Sequence, residues 1–472
     1  MYQIFVDRFS RAPRSRSHPS YADWGSRPTR THFMGGTLRG ITSRLAYLQD
    51  LGVNLLYLTP IFLASSNHRY NVVDYYRIDP RLGSLDDFDD LIEQAHARHI
   101  RIILDGVFNH CGRGFFPFHD VMENGRHSAY RDWFHLRRFP VDAYGEAHYR
   151  GWQGRPLMPI LNLANRQVQA YFLQVARYWT TRGIDGWRLD AVGEVRGHAF
   201  WKAFRRTVRQ VNPEAYVLGE FWGDGKAWLK SDQFDGGTNY VWRDTVLEFV
   251  VHRTIRADEF ARRLLSLAVR YPRDQTRGMA NLLGSHDTAR LWTAAKGDAA
   301  SVRQALVLQF SFPGIPALYY GDEIGLEGGE DPDNRCAMRW KAASPKTDLR
   351  ADIRRLAAMR QASRVLRYGD WQTVFADEAL DLCVFSRRHG TSQALIVVHN
   401  DRRPFSGTVA LAGGRLRVPA RWKDLLSQQV YAVEGSRLFL PNLAPRATLI
   451  LTPCDDLGGT VREEIAATSL TC

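Results

Sequence analysis

The chain has 472 residues, 44% of them apolar and 24% charged, with a formal net charge of +13, an ordinary balance for a soluble globular protein. A prior of ~150 residues per domain suggests two or three domains, although a single (β/α) barrel takes ~250 residues alone. No apolar run approaches the ~20 residues of a membrane helix, and the basic residues are scattered without aromatic interleaving, so neither a membrane nor a nucleic acid is expected as partner.

MYQIFVDRF at the start reads as a strand. It lacks the basic region and apolar core of a signal peptide, so a cytoplasmic location is expected. The five cysteines (Cys111, Cys336, Cys383, Cys454 and Cys472) make no CxxC pair and no metal-ligand spacing, which fits a reducing compartment. Short apolar runs at residues 3–6, 54–58, 101–107, 186–189, 216–219, 234–240, 279–283 and 317–320 read as strands, the sixth with the weakest pattern. Helical signals lie between them. Ser84 with Asp87 forms a capping-box pattern ahead of apolar Leu85, Phe88, Leu91, Ile92 and Ala95, and Gly52 and Gly183 stand where helices should stop. Eight strands alternating with helices predict an α/β fold, a (β/α)8 TIM barrel over residues 1–110 and 165–368. The third connection is too long for a loop, and residues 111–164 are expected to form an inserted subdomain. From 369 to 454 the alternation becomes strand-like with Gly and Pro turns, predicting an antiparallel β-sandwich, and the tail 455–472 has no pattern.

Polar groups sit where the barrel strands end. In GIDGWRLDAVGE, residues 183–194, Arg188 and Asp190 are two apart and share one strand face, where a guanidinium can hold a carboxylate ionised. Taken alone, the pair reads equally well as a structural ion pair. DGVFNH adds Asp105, Asn109 and His110, LGEFW adds Glu220, and LLGSHD adds His286 and Asp287. Each single acid has an alternative as a helix cap. Three acids and two histidines at four strand ends instead point to one catalytic rim, with Asp190 and Glu220 one βα unit apart.

DGVFNH, GWRLDAV, GEFW and LLGSHD resemble, in order and spacing, the four barrel motifs of the α-amylase superfamily of glycoside hydrolases. YQIFVDRF, LTPIF, NHRYNVVDY and MPILN are similar to the signatures of its neopullulanase, cyclomaltodextrinase and maltogenic amylase branch. The resemblance implies Asp190 as nucleophile, Glu220 as general acid/base and Asp287 as the third carboxylate. It also implies Arg188 as the residue orienting the nucleophile, His110 and His286 as sugar-bonding groups, Tyr70 as a stacking platform, and Asp331 with Arg335 as a further sugar-binding pair. Asp105 and Asn109 are structural neighbours of this site. Arg188 is expected to keep Asp190 ionised, while neighbouring acids keep Glu220 protonated. Among rim aromatics, Trp152 and Phe221 read as readily as core rings. Trp222 reads as a sugar contact, because it follows Glu220 by two and shares its face if the strand continues.

The sequence departs from the branch in three places. It begins at the first barrel strand, without the branch's N-terminal domain, so neither monomer nor dimer is decided. The loop after that strand reads SRAPRSRSHPS, with Thr37 where relatives carry an Asp, so calcium is expected to be absent there and arginines to pair with local acids instead; no other cofactor is expected. Ile160 and Gly223 replace the usual Lys and His near the acceptor side, which leaves the balance of hydrolysis and sugar transfer open. The expected activity is retaining hydrolysis of α-1,4 bonds in maltooligosaccharides, cyclodextrins or related glucans. An exo-acting α-glucosidase or glucanotransferase is the nearest alternative and a non-catalytic barrel scaffold the remote one.

Overall fold

The computed structural model describes residues 1–12, 21–143, 145–195, 198–230, 232–340, 348–411 and 416–454. The tail, and most of the loop for which calcium was considered, lie outside them. Eight parallel strands form the centre: β1 (Tyr2–Ile4), β2 (Leu55–Leu58), β3 (Arg101–Gly106), β4 (Gly186–Leu189), β5 (Tyr216–Gly219), β6 (Gly236–Gly237), β7 (Ala280–Leu282) and β8 (Ile315–Tyr319). They pair in sequence from β1 to β6, β7 pairs with β8, and β8 returns to β1. A parallel bridge between Thr238 and Ala280 joins the sixth strand to the seventh and closes the ring.

The local signals act as the sequence implies. Ser84 and Asp87 exchange both capping-box hydrogen bonds at the start of helix Leu85–His96. Gly52 and Gly183 follow helices with φ of +82° and +99°, a backbone region costly for residues with a Cβ. The sixth strand differs from the reading of 234–240. It is two glycines long, and Asn239 caps a helix at Tyr240–Val246. A Cβ on Gly236 would lie 1.8 Å from the carbonyl oxygen of Gly278, so this strand passes backbone against backbone and carries no apolar pattern to read.

Strand alternation sorts the barrel into an outer and an inner layer. Tyr2, Ile4, Leu56, Leu58, Ile102, Leu104, Trp187 and Leu189 belong to the large core shared with the helices. The residues between them, Gln3, Tyr57, Asp105 and Arg188, take the opposite face and are buried inside the ring. Beside them, Leu218, Tyr240, Ala280, Leu282 and Ala317 form a small apolar cluster. Apolar side chains thus fill one side of the barrel interior and polar ones the other.

Between β3 and the helix Arg166–Thr181, the chain forms a helix (Phe116–Asn124), a short hairpin (Asp142–Ala143 with Glu146–Ala147) and single bridges such as His110 with Ile160. Its Phe115, Phe118, Trp133, Phe134 and Tyr149 join the barrel's own core. A second hairpin, Phe62–Ala64 with Val72–Ile78, follows β2 and presents Tyr70. After helix Leu349–Ala362, eight antiparallel strands run from Asp370 to Pro453. Their residues alternate as well. Trp371, Cys383, Phe385, Ile396 and Ile450 pack on the barrel, while Leu382, Val384, Leu395, Trp422 and Leu438 build a second core.

Candidate active site

Arg188 is the hub. It is 1% exposed on β4, and its guanidinium reaches three carboxylates: Asp105 at 2.9 and 3.1 Å, Asp190 at 2.7 Å and Glu220 at 2.5 Å. Asp190 and Glu220 sit one residue beyond β4 and β5, at the carboxyl ends of the two strands. Each backbone N–H there still bonds the neighbouring strand, Asp190 to Gly106 and Glu220 to Leu189, so both acids are held by strand-like registration. Because adjacent nitrogens of one planar guanidinium hold both carboxylates, only a few ångströms separate the two. Glu220 also accepts a hydrogen bond of 2.9 Å from the amide of Ala191.

Asp287 completes the trio from the loop after β7. It lies 2.9 Å from His286 Nε2 and 3.2 Å from Arg335, which in turn pairs with Asp331 at 3.0 Å. Tyr70 links the two halves: its hydroxyl is 2.8 Å from Asp105 and 2.6 Å from His286 Nε2. His110 is buried, with Asn109 3.4 Å from its Nδ1 and no protein partner at Nε2, and its ring stacks on Trp152 at 5.1 Å. All the acids, histidines and arginines singled out from the sequence therefore lie at one mouth of the barrel.

The electrostatics differ from the simple expectation. Burial, and then the charge of Glu220, pushes the Asp190 carboxyl well above its usual range, against the pull of Arg188. Burial also raises Glu220, with Asp287 adding to it and Arg188 and the Ala191 amide opposing. The pull of Arg188 on Asp190 is divided, because one guanidinium serves three carboxylates, and burial and the charge of Glu220 oppose it. Burial pushes Asp287 upward too, but His286, Arg335 and Arg188 outweigh it and hold that carboxyl below its usual range.

One aromatic expectation needs correction in its reasoning. β5 stops at Gly219, so Trp222 does not share a strand face with Glu220; it stands 57% exposed and stacks on Tyr240 at 4.1 Å. Phe221 is a core ring, packed on Trp228 and Phe234. Sequence reasoning missed Gln3, whose amide nitrogen is 2.6 Å from His286 Nδ1, and Tyr57, whose hydroxyl is 2.5 Å from Asp105. The available signal was a polar atom on the inward face of an otherwise apolar strand.

Near the first loop, Asp7 accepts from the amides of Met34 and Gly35 and pairs with Arg8. Arg11 donates to the carbonyls of Met34 and Ala22, both at 2.9 Å, rather than to acids as expected. Thr37 caps a short helix by accepting from Gly40. Among the described residues, no cluster of three or more His, Cys, Asp or Glu is arranged to hold a metal, and no helix is long and apolar enough to cross a membrane.

A family model described as the α-amylase catalytic domain matches residues 3–367. The chain is 42% identical over 440 residues to a cyclomaltodextrinase of Geobacillus thermopakistaniensis (strain MAS1), covering 93% of this chain and 74% of that one. It is 39% identical over 441 residues to neopullulanase 2 of Thermoactinomyces vulgaris, covering 92% and 74%. Among solved structures it is similar to a cyclic α-maltosyl-(1→6)-maltose hydrolase of Arthrobacter globiformis in complex with that sugar, with 39% identity, a TM-score of 0.85 and coverage of 95% and 97%.

Proposed function

The chain belongs to the α-amylase family of glycoside hydrolases, and on that premise we propose that it cleaves α-1,4-glucosidic bonds in maltooligosaccharides, cyclodextrins or related glucans with retention of configuration. The observation that carries the reading is one buried guanidinium gripping Asp190 and Glu220 together, with Asp287 on the same rim. Two carboxyls that close suit a double displacement, which needs ~5 to 5.5 Å between them and leaves no room for a water on the far face of the sugar. Asp190 attacks the anomeric carbon and Glu220 gives its proton to the departing oxygen. Glu220 then takes a proton from water, whose oxygen displaces Asp190. A sugar hydroxyl in place of that water gives transglycosylation.

This sequence needs one proton on the pair, and burial, which raises both carboxyls, favours keeping it there. Positive charge developing at the anomeric carbon stabilises the ionised form of Asp190, which leaves the proton on Glu220, where the leaving oxygen needs it. Asp287, held low by His286 and Arg335, adds a fixed negative charge beside the same centre. Exposed Trp222, braced against Tyr240, offers a ring face to sugars extending from the rim.

The reading includes no resident calcium at the first loop. Arg11 already supplies a cation to the two carbonyls there, and Asp7 is committed to Arg8 and two amides. It places the enzyme in the cytoplasm, in keeping with free thiols at Cys111, Cys336, Cys383 and Cys454.

A second reading rests on the likeness to the solved hydrolase of cyclic α-maltosyl-(1→6)-maltose, at 39% identity and a TM-score of 0.85. On that likeness a small ring containing α-1,6 links ranks beside the cyclodextrins as a substrate. Product chromatography on maltotriose, β-cyclodextrin, pullulan and that ring separates the readings. Proton NMR of the earliest products is expected to show α-anomers; β-anomers would exclude the double displacement.

A further inference from the structure

Gln3 is the one amide side chain on the inner face of β1, 6% exposed, and its Nε2 stands 2.6 Å from Nδ1 of His286. The donors and acceptors beyond that contact resolve in one direction. Asp105 accepts from Arg188 and from the hydroxyl of Tyr57, and the single proton of the Tyr70 hydroxyl also goes to Asp105. Tyr70 therefore accepts from His286 Nε2 at 2.6 Å, and that nitrogen also faces a carboxylate oxygen of Asp287 at 2.9 Å. Both neighbours require a hydrogen on Nε2. In a neutral ring Nδ1 is then a bare acceptor, and Gln3 supplies its donor.

Resting on the reading of His286 and Asp287 as site residues, we propose that Gln3 is a positioning residue that keeps the hydrogen of the His286 imidazole on Nε2. Its amide presents N–H to Nδ1, which accepts, and so leaves the ring's hydrogen at Nε2. A glutamate carboxylate can only accept and would draw the hydrogen to Nδ1, and a methionine offers neither donor nor strong acceptor. The charged and titratable groups around His286 are Asp287 beside it, Arg335 at its carbonyl, Tyr70 with His68 behind it, and Glu220 across the site. Of these, Asp287 and Tyr70 lose their donor if the hydrogen moves to Nδ1. Loss of the Nε2 hydrogen leaves the lone pair of that nitrogen facing the third carboxylate and strips Tyr70 of its donor. An imidazole in the wrong tautomer is a poor partner even in unchanged geometry.

The test combines activity with a direct view of the ring. In Gln3→Glu, kcat on maltotriose should fall at least about tenfold, because the carboxylate accepts where the amide donated and draws the ring hydrogen to Nδ1. Gln3→Met should lower kcat about tenfold with a smaller change in KM, because the contacts of Asp287 tighten with the developing charge. Nitrogen-15 NMR of histidine-labelled wild-type protein, with His286 assigned by its loss in His286→Gln, should show Nε2 protonated. Wild-type kcat in Gln3→Glu, or an Nδ1–H ring in the wild type, would overturn the proposal. If Gln3→Glu does not fold, the wild-type spectrum decides. If the wild type hydrolyses no α-glucan, the functional reading falls while the tautomer measurement still judges Gln3.

Discussion

Arg188 carries more than one residue usually does, and its three-way contact sets what the acids can do. Removing charge from either member of the pair while keeping its shape isolates the chemistry from the packing. Under the proposed roles, Asp190→Asn removes the nucleophile and Glu220→Gln the proton donor that the leaving oxygen requires. Each is expected to lower kcat on maltotriose by about a thousandfold or more. Circular dichroism should be unchanged, since both amides still fill the same space beside Arg188. Near-normal turnover in either variant would move the chemistry elsewhere. At this scale the sequence was readable wherever a polar group ended an apolar strand, as with Asp190, Glu220, His110 and Asp287. It was not readable at Gln3 and Tyr57, which lie within strands. Their direction is fixed only when the ring closes and decides which face is inside. Trp222 shows a related limit, because alternation can be extrapolated only as far as the strand runs, and β5 stops three residues short of it.

Among elements, β4 and β5 match the sequence reading residue for residue, since each is an apolar run bounded by glycine or acid. β6 could not be found in the same way. Its identity lies in the absence of side chains, and the apolar residues around it belong to packing against Phe221 and to the helix at Tyr240–Val246. The hairpin Phe62–Ala64 with Val72–Ile78 was passed over because two register shifts break its alternation. The loop after β1 gives a test at this level. Arg11 ties residue 22 to residue 34 through two carbonyls and lies over the ring of Trp24 at 5.3 Å. Hydrogen bonds from a charged donor contribute about 1.5–3 kcal/mol each, more than the half-buried setting here allows in full. Arg11→Met is expected to destabilise the protein by about 2 kcal/mol in thermal or urea denaturation. EDTA should leave the wild-type melting temperature unchanged. A clear drop with EDTA would mean that a cation, rather than Arg11, holds the loop.

The whole molecule is strongly basic, yet its response to pH should be governed by a few buried acids on the barrel's carboxyl rim. Burial raises Asp190, Glu220, Asp322 and Glu323 together. Asp322 is the most separable of them, since it lies outside the proposed chemistry. Its carboxyl accepts from the amide of Tyr319 at 3.1 Å and sits 3.6 Å from Arg290. Burial pushes it up to about 7, against the opposing pull of Arg290. An acid with a pKa higher in the folded than in the unfolded chain binds more protons when folded. Its stabilising effect is therefore full below its unfolded value of about 3.9 and is lost as pH rises through about 7. At ~1.4 kcal/mol per unit, that window is worth on the order of 4 kcal/mol for this one group. Asp322→Asn keeps the shape and an acceptor for Tyr319 but cannot titrate. Measured by urea denaturation, the wild-type midpoint should fall as pH rises from about 4 to 7. The variant's midpoint should fall less steeply, its remaining slope coming from the other acids that burial raises. Parallel slopes would mean that Arg290 holds Asp322 ionised throughout, and that the rim's pH response arises from the catalytic pair and Glu323 alone.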